Sequence, residues 1–119
     1  MADQSALEKG LPVHSDHPIT EYQSVVDENT QFVDVREPNE VAKGTLPGTI
    51  NIPVGQITER LGELDTQRRV VVMCQRGGRS TDAALILTSA GFTDVVNLSG
   101  GMHAWEKAQK GGGFFSKFR

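Results

Sequence analysis

Val70-Val71-Val72-Met73 is the stretch that most restricts the fold: four apolar residues stand between the charged pair Arg68-Arg69 and a turn that contains Gly77-Gly78. A run that is apolar at every position, and not at every second one, suits a strand buried on both faces. Beyond the turn, Ser80 to Ala90 place Ala83, Ala84, Leu87 and Ala90 on one helical face, and Gly91 stands where a helix commonly ends in a left-handed residue. Strand, short turn and helix in that order are the building unit of a parallel sheet.

The remaining segments extend this pattern. Thr20-Glu21-Tyr22-Gln23 reads as a capping box that opens a short helix, with Tyr22, Val25 and Val26 on its apolar side and Asp27-Glu28-Asn29 at its end. Phe32-Val33-Asp34-Val35 predicts a buried strand stopped by Arg36-Glu37-Pro38. Gly44-Thr45-Leu46-Pro47-Gly48 is a loop, and Thr49-Ile50-Asn51-Ile52 a short strand ended by Pro53. Ile57, Leu61 and Leu64 recur with helical spacing, against which Gly62 counts. Val95-Val96-Asn97-Leu98 predicts another strand, and Ser99-Gly100-Gly101 turns into a last helix that directs Met102, Trp105 and Ala108 to the core. The expected fold class is α/β, with a mostly parallel central sheet of about five strands and helices on both faces.

A chain of 119 residues is read as one domain over residues 18–109. Residues 1–17 are a polar N-terminal extension. Residues 110–119 combine a glycine spacer, Lys110-Gly111-Gly112-Gly113, with the tail Phe114-Phe115-Ser116-Lys117-Phe118-Arg119, read as a flexible appendage in preference to a docking element.

A formal charge of −3 gives no basic excess for a nucleic acid backbone. No hydrophobic signal segment opens the chain, and its longest strongly apolar run is too short to cross a bilayer. A soluble, cytoplasmic monomer is expected. The single cysteine, Cys74, excludes an intramolecular disulfide, a Cys-x-x-Cys pair and a multi-thiolate zinc site. No metal or cofactor is expected: His14 and His17 read as exposed loop and His103 as a surface or cap residue.

Cys74 falls at the C-terminal end of the clearest strand, where ligand crevices of open α/β sheets lie. A short glycine loop followed by a helix lets successive backbone amides turn inward as an anion cradle. Such a cradle lowers a thiol's pKa through amide donors and the helix dipole, so the nucleophile needs no adjacent base. Arg76 and Arg79 add two permanent positive charges, which points to an anionic substrate.

Cys74-Gln75-Arg76-Gly77-Gly78-Arg79-Ser80 resembles the active loop of the rhodaneses, Cys-x-x-Gly-x-Arg followed commonly by Ser. Phe32-Val33-Asp34-Val35-Arg36-Glu37-Pro38-Asn39-Glu40 is similar to that family's Asp-Val-Arg-Glu signature, and Gly48-Thr49-Ile50-Asn51-Ile52-Pro53 to its Pro-Gly-Ala-Ile-Asn-Ile-Pro segment. Leu98-Ser99-Gly100-Gly101 with Trp105 resembles its closing motif. The four motifs stand in the family's order across residues 18–109. Thr45 occupies a place where the family often has His, and the Phe-containing tail has no counterpart in the family's core domain.

The resemblance implies a thiosulfate sulfurtransferase working by ping-pong transfer. Cys74 attacks the outer sulfur of thiosulfate, becomes a persulfide, and passes the sulfur to a thiol or cyanide, with a sulfur-carrier protein as a further acceptor. Gln75, Arg76, Gly77, Gly78, Arg79 and Ser80 would hold the donor and the persulfide. Asp34 and Arg36 are read as structural. Phosphatases of the same fold carry five residues between Cys and Arg; this chain has four, which favours one extra sulfur over a tetrahedral phosphate. Two alternatives stay open: a persulfide relay fed by a protein-bound donor, and a non-catalytic rhodanese-like interaction module.

Overall fold

The structure, a computed structural model, describes residues 13–116, with side chains as far as Lys110. Five strands, β1 (Ser15–Pro18), β2 (Gln31–Asp34), β3 (Ile50–Asn51), β4 (Val70–Met73) and β5 (Val95–Ser99), form one sheet in the order β1-β5-β4-β2-β3. Every neighbouring pair is parallel. The α/β architecture expected from the sequence is therefore the one observed.

β4 lies in the middle, and its four side chains are all buried. Alternation along the strand divides them between two cores. Val70, Val72 and the following Cys74 pack with Val33, Val35, Ile52, Ala83, Ala84 and Leu87, on the face covered by α2 (Gly78–Ser89). Val71 and Met73 pack with Ile19, Tyr22, Phe32, Leu98 and Met102, on the face covered by α3 (Gly101–Ser116). Because Cys74 belongs to the α2 side, its sulfur points beneath the helix that follows its own loop. Trp105 meets Tyr22 edge to face at 5.4 Å, so the aromatic pair lies on the opposite side of the sheet.

Several elements differ from expectation. The sheet takes in Ser15–Pro18, ahead of the boundary drawn at residue 18. This strand has no apolar pattern because it is an edge: it pairs through its backbone with β5 alone, and most of it is exposed. His17, read as loop, thus lies in β1, where its Nε2 contacts Ser24 Oγ at 2.8 Å. The proposed capping box at Thr20 does not form. A 3-10 segment covers Ile19–Ser24 with Pro18 in the cap position, and its buried residues, Ile19 and Tyr22, repeat at the spacing of a 3-10 turn.

The helix expected from Ile57, Leu61 and Leu64 is replaced by 3-10 turns at Val54–Gln56 and Leu61–Glu63. The same residues still turn inward, since Ile57 and Leu64 are buried and Leu61 packs against them. A four-residue helix, α1 (Pro38–Val41), was not expected; Pro38 sits in its first turn, and Glu37 and Glu40 form a reciprocal capping box. The α3 backbone continues past Gln109 and through Gly111–Gly113 to Ser116. Lys117, Phe118 and Arg119, and the side chains of Phe114 and Phe115, lie outside the described residues.

β1 covers one edge of β5 and leads directly into fully buried Ile19. A chain begun at Ile19 is expected to melt at least about 5 °C below one begun at Val13, since losing even one to two net backbone hydrogen bonds costs about 1 kcal/mol or more. Equal melting temperatures would show that β1 contributes nothing to the sheet's stability.

Candidate active site

The sulfur of Cys74 is enclosed by the loop that its own strand feeds. Gly77 N–H donates to Sγ at 3.0 Å, and Ser80 N–H does so at 3.3 Å. The thiol donates to Ser80 Oγ at 3.3 Å, a contact the hydroxyl can reverse by donating to a thiolate. The turn that achieves this places Gly77 at φ +107°, a conformation glycine accepts without steric cost. Gly77 is also the residue before the first turn of α2, so the positive end of the helix faces the sulfur.

Burial of Cys74, which is 1% exposed, pushes its thiol pKa upward. Hydrogen bonds from the Ser80 hydroxyl and from the amides of Ser80, Gly77 and Arg76 more than offset that, and the thiol titrates below its ordinary range. Among the described residues no side-chain base is hydrogen-bonded to the sulfur.

The two loop arginines are in different situations. Arg79 is bound in a fork to Glu40, with Nη1 to Oε1 at 2.6 Å and Nη2 to Oε2 at 2.9 Å. That pairing fastens the loop to α1, and the Arg79 guanidinium lowers the Glu40 pKa to about 2. Arg76 is exposed and makes no ion pair among the described residues. Gly78 begins α2 on the exposed side of the loop.

Gln75 is fixed from the opposite side. Its Oε1 accepts from Arg36 Nη1 at 3.2 Å. Arg36 and Asp34, 3% and 0% exposed, form a buried pair at the end of β2: Nε reaches Oδ1 at 3.0 Å and Nη2 reaches Oδ2 at 2.8 Å. Arg36 Nη2 also donates to the Gly44 carbonyl, and the Thr45 hydroxyl donates to Asp34 Oδ2 at 2.7 Å. Thr45, in the place where rhodaneses often have His, thus holds the carboxylate that holds Arg36. The ion pair read from the sequence as structural exists, and it reaches the loop through Gln75.

Sequence reasoning passed over Glu40 and Thr45. The Pro38-to-Glu40 helix start was a usable signal for Glu40; nothing in the local pattern assigns Thr45 a partner eleven residues away. His103 is exposed, and its backbone amide donates to the Gln75 carbonyl. A recess of about 400 Å³ opens over Cys74, Gln75, Arg76, Gly78 and Arg79. Beside it, and sharing Gln75, a cleft of about 660 Å³ runs between Arg36, Thr45, Met102 and Trp105. Among the described residues no three His, Cys, Asp or Glu side chains gather as metal ligands, and no helix is long and apolar enough to cross a membrane.

A single thiol at the carboxyl edge of a parallel sheet, ringed by inward amides and capped by a helix N-terminus, defines a rhodanese-like domain. The model of the Rhodanese-like domain family matches residues 19–108, and the chain belongs to that family. Among its relatives, the thiosulfate sulfurtransferase GlpE of Shewanella oneidensis is 36% identical over 100 residues, covering 84% of this chain and 94% of that protein. A sulfurtransferase of Allochromatium vinosum is 38% identical over 80 residues, covering 67% of this chain and 75% of its own length. The crystal structure of a rhodanese-like domain protein from Staphylococcus aureus superposes with a TM-score of 0.70 at 31% identity, covering 76% of this chain and 90% of that one.

Glu40 carries a folded-state pKa of about 2 against an ordinary 4.5, so what its ionised form adds to stability is complete above about pH 4.5 and disappears as pH falls toward 2. Glu40→Gln keeps an acceptor for the helix cap and removes the charge. The melting temperature of this variant is expected to lie below that of the parent near neutrality, with the gap closing through that acid window. A gap unchanged across the window would show that the charge on Glu40 does not stabilise the loop.

Proposed function

We propose that the chain moves a sulfane sulfur from a small anionic donor, thiosulfate, to a thiol or cyanide acceptor through a persulfide on Cys74. The observation that carries the reading is the set of donors converging on one buried sulfur: the Gly77 and Ser80 amides and the Ser80 hydroxyl. They supply what a thiolate nucleophile needs at neutral pH and what a persulfide anion needs afterwards. In the first displacement Sγ attacks the outer sulfur of thiosulfate. The donor's S–S bond breaks, and sulfite leaves with the bonding pair. In the second, the acceptor's thiolate or cyanide carbon attacks the outer persulfide sulfur and returns Cys74 to the thiolate.

Arg76 is the loop cation available to the donor, because Arg79 already spends its fork on Glu40. An exposed guanidinium at the rim attracts a dianion and can bind its sulfonate oxygens in the same bidentate manner. Arg79 then acts on the reaction by keeping the loop closed. A related protein from Shewanella oneidensis, named a thiosulfate sulfurtransferase, supports the choice of donor.

Mixing the protein with thiosulfate is expected to add one sulfur atom, seen by intact-protein mass spectrometry, removed by cyanide and absent in Cys74→Ser. An adduct formed only from a persulfidated protein would transfer the donor role to a protein-bound persulfide. No adduct from either source would refute sulfur transfer.

Arg76→Ala is expected to raise KM for thiosulfate on the order of tenfold while changing kcat little, as loss of about one charge-assisted hydrogen bond requires. Steady-state kinetics with an anionic and a neutral donor test this. Equal damage to both donors would remove Arg76 from substrate recognition.

A further inference from the structure

We propose that Gly101 is a positioning residue for the sulfur cradle: by admitting the Cys74 and Gln75 carbonyls to the first turn of α3, it turns the next two amides of the loop inward. The geometry is direct. Met102 N–H donates to the Cys74 carbonyl at 2.9 Å, and His103 N–H donates to the Gln75 carbonyl at 2.9 Å. These are first-turn amides of α3, which no carbonyl within that helix can satisfy. The active loop thus serves as the cap of a helix remote from it in sequence.

A planar trans peptide puts the C=O of one residue and the N–H of the next on opposite sides. No peptide bond among the described residues is cis. Once the Cys74 and Gln75 carbonyls are directed to α3, the amides of Gln75 and Arg76 point away from that helix. The Arg76 amide is among the donors that favour the Cys74 thiolate.

Gly101 permits the approach. A Cβ on this residue would stand 2.5 Å from the Cys74 oxygen and 2.6 Å from both the carbonyl carbon and the oxygen of Gln75. All three are backbone atoms of the loop, which cannot swing aside as a side-chain end could. Its φ of +59° adds a second reason for glycine, but the contact is the specific one. Gly91 makes the comparison available: it also has positive φ, +99°, yet an added Cβ there would meet nothing within 4 Å.

The inference rests on Cys74 being the reactive thiol. Its test follows the rate of Cys74 alkylation by iodoacetamide against pH, which needs no sulfur donor. A failed persulfide assay and a failed Gly101 test therefore remain distinguishable. Gly101→Ala is expected to move the midpoint of the rate profile upward and to slow alkylation below that midpoint on the order of tenfold, the effect of weakening about one hydrogen bond to a charged group. Gly91→Ala is expected to lower the melting temperature and leave the profile in place.

Should Gly101→Ala not fold, an amide-to-ester replacement at Met102 deletes the N–H that binds the Cys74 carbonyl and adds no bulk. It is expected to shift the profile in the same direction. A folded Gly101→Ala or ester variant with the parent's profile would overturn the proposal, and so would an equal shift in Gly91→Ala.

Discussion

An ionisable sulfur buried at the end of a sheet is tolerated only if polar groups replace the water it has lost. The remainder of the site depends on that constraint. Cys74 is 1% exposed, and its surroundings supply amides and a hydroxyl in place of solvent. The period of a strand sets the first requirement. After Val70 and Val72, Cys74 is the next residue on the α2 side, so its sulfur projects toward the start of that helix. The turn sets the second. Gly77 adopts φ +107°, and the chain reverses tightly enough for its own amide and that of Ser80 to reach the same atom.

A loop that presents several amides to one point holds its shape only if its outer side is fastened. Three contacts do this from three directions. The Arg79–Glu40 fork ties its far end to α1, the Arg36–Gln75 contact ties its near end to the buried pair at the end of β2, and α3 receives its first two carbonyls. The Asp34–Arg36 pair is sustained in the interior because its polar atoms meet further partners, Thr45 and the Gly44 carbonyl among them. This division assigns shape to the paired charges and leaves Arg76 to meet the solvent. In the proposed reaction an anionic donor would meet Arg76, which makes no ion pair among the described residues, above the cradle.

Much of this was legible in the residues. The uninterrupted Val70-to-Met73 run gave the central strand with its bounds, because a strand buried on both faces favours an apolar residue at every position. The strand–glycine loop–helix order located Cys74 and the amides around it. What escaped was whatever depends on distant partners. β1 has no hydrophobic signature, since an edge strand is held through its backbone, and the inward turn of Ile57, Leu61 and Leu64 fits 3-10 segments as well as a helix. At the site, the loop arginines were legible, but the partner of Arg79 was not. Only the fold brings Glu40 to Arg79, and only the fold shows why the Gly100-Gly101 turn lies against the loop.

Cys74 is proposed to react as a thiolate stabilised by backbone amides and the Ser80 hydroxyl, and the ultraviolet absorbance of the thiolate measures that stability directly. Cys74 is the only cysteine, so the band has one source in the chain. Titrated in the folded protein and again in concentrated guanidinium chloride, after correction with Cys74→Ser, the native midpoint is expected to lie below the denatured one. A native midpoint equal to or above that of the unfolded chain would contradict the account, because burial would then outweigh the cradle.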